Sequence, residues 1–132
     1  MPEPLPDEGP PSDLVSDVFA RDCTSRSAFE DVTAKWASLT LLALHEGGYR
    51  FNALRRRVEG VSEKMLSQTL QALERDGFLT REVVTAIPPR VEYALTPLGQ
   101  RVAGRLRALA DLLEEAAPEV ERAREEHPGR AR

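Results

Sequence analysis

A chain of 132 residues, 41% hydrophobic and 30% charged, has enough apolar material for one domain with a core and too little length for two ordinary ones. Its formal net charge of −4 excludes a uniformly basic nucleic-acid binder, and a single cysteine, Cys23, excludes an intrachain disulfide framework. No apolar run approaches the ~18 residues needed to cross a bilayer. The opening Met1-Pro2-Glu3-Pro4-Leu5-Pro6 lacks the basic and apolar regions of a signal peptide, so the expectation is a cytoplasmic protein with no membrane partner.

Charge is spread unevenly along the chain. Residues 1–24 carry six carboxylates against Arg21 alone, whereas residues 50–90 carry seven arginines and Lys64 against five carboxylates. A basic middle inside an acidic chain fits one cationic face.

Residues 1–11, rich in Pro and acidic side chains, predict a disordered arm. Ser12-Asp13 can cap a short helix over residues 12–20, with Leu14, Val15, Val18 and Phe19 at helical spacing. Ser25 or Ser27 can start the next helix, with Phe29 and Val32 on its buried side. Lys35 to His45 is apolar around most of its circumference and is expected to be the central core helix, stopped by Gly47-Gly48. Tyr49 and Arg50 read as extended. Asn52 can then cap a helix over residues 53–58, with Phe51 as a hydrophobic staple.

A few residues containing Gly60 separate this helix from a second one, Ser62 to Asp76, which Gly77 closes. Two short helices joined by a tight Gly-containing turn predict a helix-turn-helix. Leu79–Ala86 and Val91–Thr96 read as two strands, joined by the rigid, basic-tipped loop Ile87-Pro88-Pro89-Arg90. A helix-turn-helix followed by such a hairpin is a winged helix.

Thr96-Pro97 opens a long helix over residues 97–117. Its stripe of Leu98, Val102, Leu106, Leu109 and Leu113, widened by Leu112 and Ala116, exceeds what one small core needs. A partner chain is the economical cover, joined by the short helix at 12–20. Pro118 is expected to end or kink the helix, with residues 123–132 a flexible tail. The expected fold is mainly α with a small β-hairpin (α+β). It is a winged helix-turn-helix domain over residues 12–122 with terminal dimerisation helices.

Within Ser62–Asp76 the apolar side collects Leu66, Leu70 and Leu73, and the opposite side collects Lys64, Gln68, Gln71 and Arg75, flanked by Ser67. Lysine pairs with guanine edges, glutamine with adenine, and serine serves as a small donor or acceptor. Lys64, Ser67, Gln68 and Gln71 are therefore the candidate base readers, the first three nearest the bases because the N-terminal part of a recognition helix makes those contacts. Arg55, Arg56, Arg57, Arg75 and the wing's Arg90 are candidate phosphate or groove contacts. An ordinary solvated helix face, and arginines complementing a helix dipole, are the plainer readings of the same residues.

These blocks resemble the HxlR-type winged helix-turn-helix transcription regulators, a prokaryotic family. The resemblance is carried by Lys35-Trp36, Arg50-Phe51-Asn52 with Leu54, Gly60-Val61-Ser62, Lys64-Met65-Leu66 and Leu73-Glu74-Arg75-Asp76-Gly77. It continues through Pro88-Pro89-Arg90-Val91-Glu92-Tyr93 and Leu95-Thr96-Pro97-Leu98-Gly99. It implies a homodimer built from terminal helices, reading a pseudo-palindromic operator in double-stranded DNA with half-sites ~34 Å apart.

The family often carries a cysteine, commonly followed by proline, twelve residues before that lysine; Cys23 holds the position, with Thr24 in place of proline. In some members this cysteine senses oxidants or electrophiles. Cys23 is thus a candidate redox sensor, and equally a small apolar side chain near the dimer interface.

His45, His127 and one cysteine show no metal-ligand spacing, and no phosphate loop, nucleophile elbow or carboxylate pair is present. No catalytic residue, cofactor or metal is expected, and no residue pattern specifies a small-molecule inducer. The sequence therefore predicts a homodimeric, sequence-specific DNA-binding repressor, open to redox control through Cys23. The competing reading is a winged-helix protein-interaction module without DNA binding, which the acidic balance and Glu63 favour.

Overall fold

The most apolar stretch of the chain becomes the helix around which the others pack. In a computed structural model, which describes residues 17–128 apart from the side chains of Thr85 and Ala86, this is α2 (Lys35–His45). Helix α2 buries Ala37, Thr40, Leu41, Ala43 and Leu44 and contacts α1 (Thr24–Thr33), α3 (Phe51–Arg57), α4 (Glu63–Arg75) and α5 (Pro97–Glu115). Leu54, Val58, Val61, Leu66, Leu70, Leu73, Phe78 and Leu79 close the core around it. Trp36 packs against this cluster, with the Lys35 ammonium 4.5 Å from its ring centre. The architecture is mainly helical with one two-stranded antiparallel sheet, a winged helix-turn-helix.

Local chemistry explains several element boundaries. Helix α1 starts after Cys23 in extended conformation, and neither Ser25 nor Ser27 caps it; Ser27 Oγ donates to the Thr24 carbonyl. Its core side is Ala28 and Val32, one turn apart, so Phe29 is turned outward and is 57% exposed. Helix α3 begins at Phe51 with Arg50 as its extended N-cap, so Asn52 lies inside the first turn and is exposed. Phe51 gains more by packing on the core than Asn52 would by capping. Gly60 (φ 96°) makes the turn of the motif and Gly77 (φ 83°) ends α4, both in the left-handed region that glycine enters without a steric penalty.

Strands β1 (Leu79–Ala86) and β2 (Pro89–Leu95) pair from Leu79↔Leu95 to Ala86↔Pro89, with an irregularity between Val83 and Thr85. The wing is tighter than expected. Pro89 opens β2, where no ladder donor is missed, and only Ile87 and Pro88 form the loop. Tyr49 bridges to Tyr93 through two backbone hydrogen bonds of 2.8 and 3.0 Å.

Both chain ends depart from expectation. The arm at residues 1–11 and most of the helix expected at 12–20 lie outside the described residues. Residues 17–22 are turns, with Asp17 Oδ1 accepting the Phe19 N–H, so no helix runs to residue 20. At the other end α5 stops at Glu115 and α6 (Ala117–Glu126) follows at once. Pro118 sits in the first turn of α6, where its missing N–H costs nothing, so it starts a helix and the tail expected from residue 123 is helical to Glu126.

The hairpin, α4 and α5 meet at two carbonyls. Thr96 N–H donates to Phe78 O at 3.1 Å, Thr96 Oγ1 donates to Gly77 O at 2.6 Å, and Thr96 Oγ1 accepts the Gly99 N–H at 3.0 Å as the N-cap of α5. A β-carbon on Gly99 would lie 1.9 Å from Phe78 O. Because that oxygen is backbone, nothing can swing aside. Gly99→Ala is expected to cost at least the ~1–3 kcal/mol typical of overpacking, read as a lower midpoint in urea unfolding.

Candidate nucleic-acid interface

Helix α4 is held by its two ends and one face. Ser62 Oγ accepts the Met65 N–H at 3.0 Å, and Glu63 in the first turn complements the helix dipole. Leu66, Leu70 and Leu73 are buried in the core. That arrangement turns Lys64, Gln68, Gln71 and Arg75 outward, all exposed, with Ser67 half-buried at the flank. Gln68 also borders a shallow depression with Asp31, Ala34, Ala37 and Ala72, which sets it beside the corner between α1 and α2. Met65, 40% exposed near the N-terminus of α4, adds an apolar element to this face.

The three consecutive arginines separate. Arg55 and Arg56 are exposed and border one concavity with Asn52, Glu59, Gly60 and Val61, alongside the turn that leads into α4. Arg57 is directed to the other side, where Nε and Nη2 engage both carboxylate oxygens of Glu46 at 2.9 and 2.5 Å. Tyr49 O–H donates to the same carboxylate at 2.7 Å. Arg57 and Tyr49 hold the Glu46 carboxyl well below its ordinary value, down to about 2. Arg75 is likewise engaged, by Asp31 and Asp76, and is not a free cation. Arg90, exposed near the start of β2, lies at the tip of the wing.

The expected dimer residues also divide. Val102 and Leu106 pack against the molecule's own core, whereas Leu98, Leu109 and Leu113 are 41%, 51% and 53% exposed, joined by Leu112. Cys23 is half-buried at the N-cap of α1, with Sγ 3.2 Å from Ser25 Oγ. Sequence reading missed Glu46 and Asp31, because each meets its arginine only through the tertiary fold.

The family model described as HxlR-like helix-turn-helix matches residues 31–121. The chain belongs to the HxlR-like helix-turn-helix family. It is similar to the HTH-type transcriptional regulator YtfH of Escherichia coli K12, with 53% identity over 109 residues, 83% of this chain and 86% of that one. It also resembles the solved structure of ytfH from Salmonella typhimurium, at 51% identity and a TM-score of 0.76, covering 83% of this chain and 98% of that chain. The reduced form of the redox regulator HypR superposes with a TM-score of 0.66 at 29% identity, covering 73% of this chain and 95% of that chain. The two YtfH relatives are named as transcriptional regulators and HypR as a redox regulator, and this chain carries a winged helix-turn-helix scaffold like theirs. Among the described residues no helix is long and apolar enough to cross a membrane, and no three His, Cys, Asp or Glu side chains gather around a metal-sized space.

The Glu46 pair has a pH signature. A folded value of about 2 against an ordinary 4.5 means that the carboxylate's contribution is complete above about 4.5 and is lost as pH falls toward about 2. Glu46→Gln should therefore lower stability at pH 6 and converge on wild type near pH 2, as followed by urea unfolding at each pH.

Proposed function

We propose that this HxlR-like regulator is a sequence-specific DNA-binding repressor that acts as a homodimer on a pseudo-palindromic operator in double-stranded DNA. The reading rests on one observation above all: a capped, core-anchored α4 presents Lys64, Gln68 and Gln71 outward. Beside them Arg55 and Arg56 make no ion pair among the described residues. Lys64, Ser67, Gln68 and Gln71 read base edges, and Arg55, Arg56 and the wing's Arg90 hold phosphates or the adjacent groove. Arg57 and Arg75 are set aside, because carboxylates already occupy them.

Leu98, Leu109, Leu112 and Leu113 supply the dimer contact, since a monomer would leave this apolar stripe of α5 in water. A second reading adds redox control through Cys23, supported by the likeness to a protein named as a redox regulator. With one cysteine per chain, a disulfide would join two protomers or take a small thiol. If this holds, diamide should release wild-type protein from DNA and leave Cys23→Ser bound.

Fluorescence anisotropy with DNA from upstream of its own coding region tests the main reading. Lys64→Ala and Gln68→Ala should each cost about 1–3 kcal/mol on the cognate sequence. Arg55→Ala and Arg56→Ala should weaken all sequences alike and lower the salt slope by about 1 each, whereas Arg57→Ala should leave it unchanged. Binding without salt dependence, or no binding, would falsify the proposal. Light scattering should show Leu109→Glu combined with Leu113→Glu as a folded monomer with much weaker DNA binding.

A further inference from the structure

The C-terminal end of the recognition helix terminates in a charge cluster. Arg75 Nη2 donates to Asp31 Oδ2 at 3.1 Å, across 44 residues of sequence, and Arg75 Nε donates to Asp76 Oδ1 at 3.1 Å. Asp31 stands in the last turns of α1, near where that helix touches α4. Asp76 Oδ2 is buried and has no hydrogen-bond partner among the described residues. The Asp31 carboxyl is held above its ordinary value, first by the neighbouring Asp76 carboxyl and then by burial. Asp76, pushed up by burial, is brought below its ordinary value by Asp31 and Arg75.

Arg75 lies on the same outward line of α4 as Lys64, Gln68 and Gln71. An arginine there has the reach to grip a phosphate on the strand bordering the groove. Such a contact would draw the C-terminal end of α4 toward the backbone and tilt its N-terminal residues away from the base edges. The carboxylates oppose this directly, because a phosphate would have to displace two oxygen acceptors already in place. The negative end of the helix dipole repels the phosphate as well.

We propose that Asp31 is a positioning residue for DNA binding: with Asp76 it keeps the Arg75 guanidinium off the phosphates, so that α4 engages DNA through its N-terminal half. This rests on the DNA-binding reading above. The ion pairs are too exposed to matter much for folding, with the Arg75 side chain 65% accessible, so their effect falls on binding geometry.

The salt dependence of binding decides it. Wild type, Arg75→Ala, Asp31→Ala and Asp31→Ala/Arg75→Ala are compared by anisotropy between ~50 and ~200 mM salt, the range over which phosphate contacts dominate affinity. Arg75→Ala should match the wild-type slope. Asp31→Ala should steepen it by about 0.9 per protomer as Arg75 takes a phosphate, and the double variant should return to wild type. Asp31→Asn, which keeps the side-chain size without the charge, should steepen the slope in the same direction.

A shallower slope in Arg75→Ala, or none of this steepening in either Asp31 variant, overturns the proposal while leaving DNA binding intact. A DNA-independent check is the Arg75 Nη2–H resonance, whose acceptor is Asp31, expected to be shifted and slow to exchange in wild type and ordinary in Asp31→Ala. If that resonance behaves as expected and no variant binds DNA, the DNA-binding reading fails and this one with it.

Discussion

The carbonyls of Gly77 and Phe78 carry a larger share of this architecture than any side chain in the core. Thr96 takes both, one with its N–H and one with its hydroxyl, and the same hydroxyl then caps α5 through Gly99. Three elements that the chain makes in succession are thereby fixed at one point: the end of the recognition helix, the root of the wing and the start of the long helix. Leucine packing would tolerate small slides among these elements. Hydrogen bonds to two adjacent peptide groups, with Gly99 pressed against one of them, do not. The relative placement of α4 and the hairpin, on which any groove-reading geometry depends, follows from this junction.

Electrostatics does a different task. The ion pairs of Glu46 with Arg57 and of Asp31 and Asp76 with Arg75 all have an exposed arginine, and such surface pairs typically contribute about 0–1 kcal/mol to stability. What they change is which cations remain available. Of the arginines flanking the helix-turn-helix, Arg57 and Arg75 are neutralised locally, while Arg55 and Arg56 stay presented together beside the turn. A chain with net charge −4 can in this way still present, among the described residues, two unpaired arginines side by side.

The central helix, the two helices of the motif, the hairpin and the long α5 are legible in the sequence because each rests on a local rule. These rules are the apolar circumference of Lys35–His45, the periodicity of Leu66, Leu70 and Leu73, the Pro88-Pro89 break between two strand-forming runs, and the Thr96-Pro97 cap. The departures have equally specific causes. Asn52 loses its capping place to Phe51, whose ring packs on the core, and Phe29 is displaced because Ala28 and Val32 define the buried side of α1. Pro118 starts a helix since its position relative to Glu115 places it in a first turn. The candidate site was legible as a polar face on α4. Glu46 and Asp31, which pair with Arg57 and Arg75, were not, because residues 11 and 44 positions away in sequence are brought beside them only by tertiary packing.

Helix α5 has a mechanical consequence that follows from where it is clamped. Its 19 residues extend roughly 28 Å from the junction at Thr96, at ~1.5 Å per residue. A rigid rod of that length pivoting by about 5° at its base moves its far end by roughly 2.5 Å, about half the helical pitch. The exposed leucines at the distal half of the rod are therefore displaced most by any small rotation of the unit that carries α4 and the hairpin. In an assembly that joins two such rods, the tolerance on the separation of the two α4 helices is set by the stiffness of this one capped base.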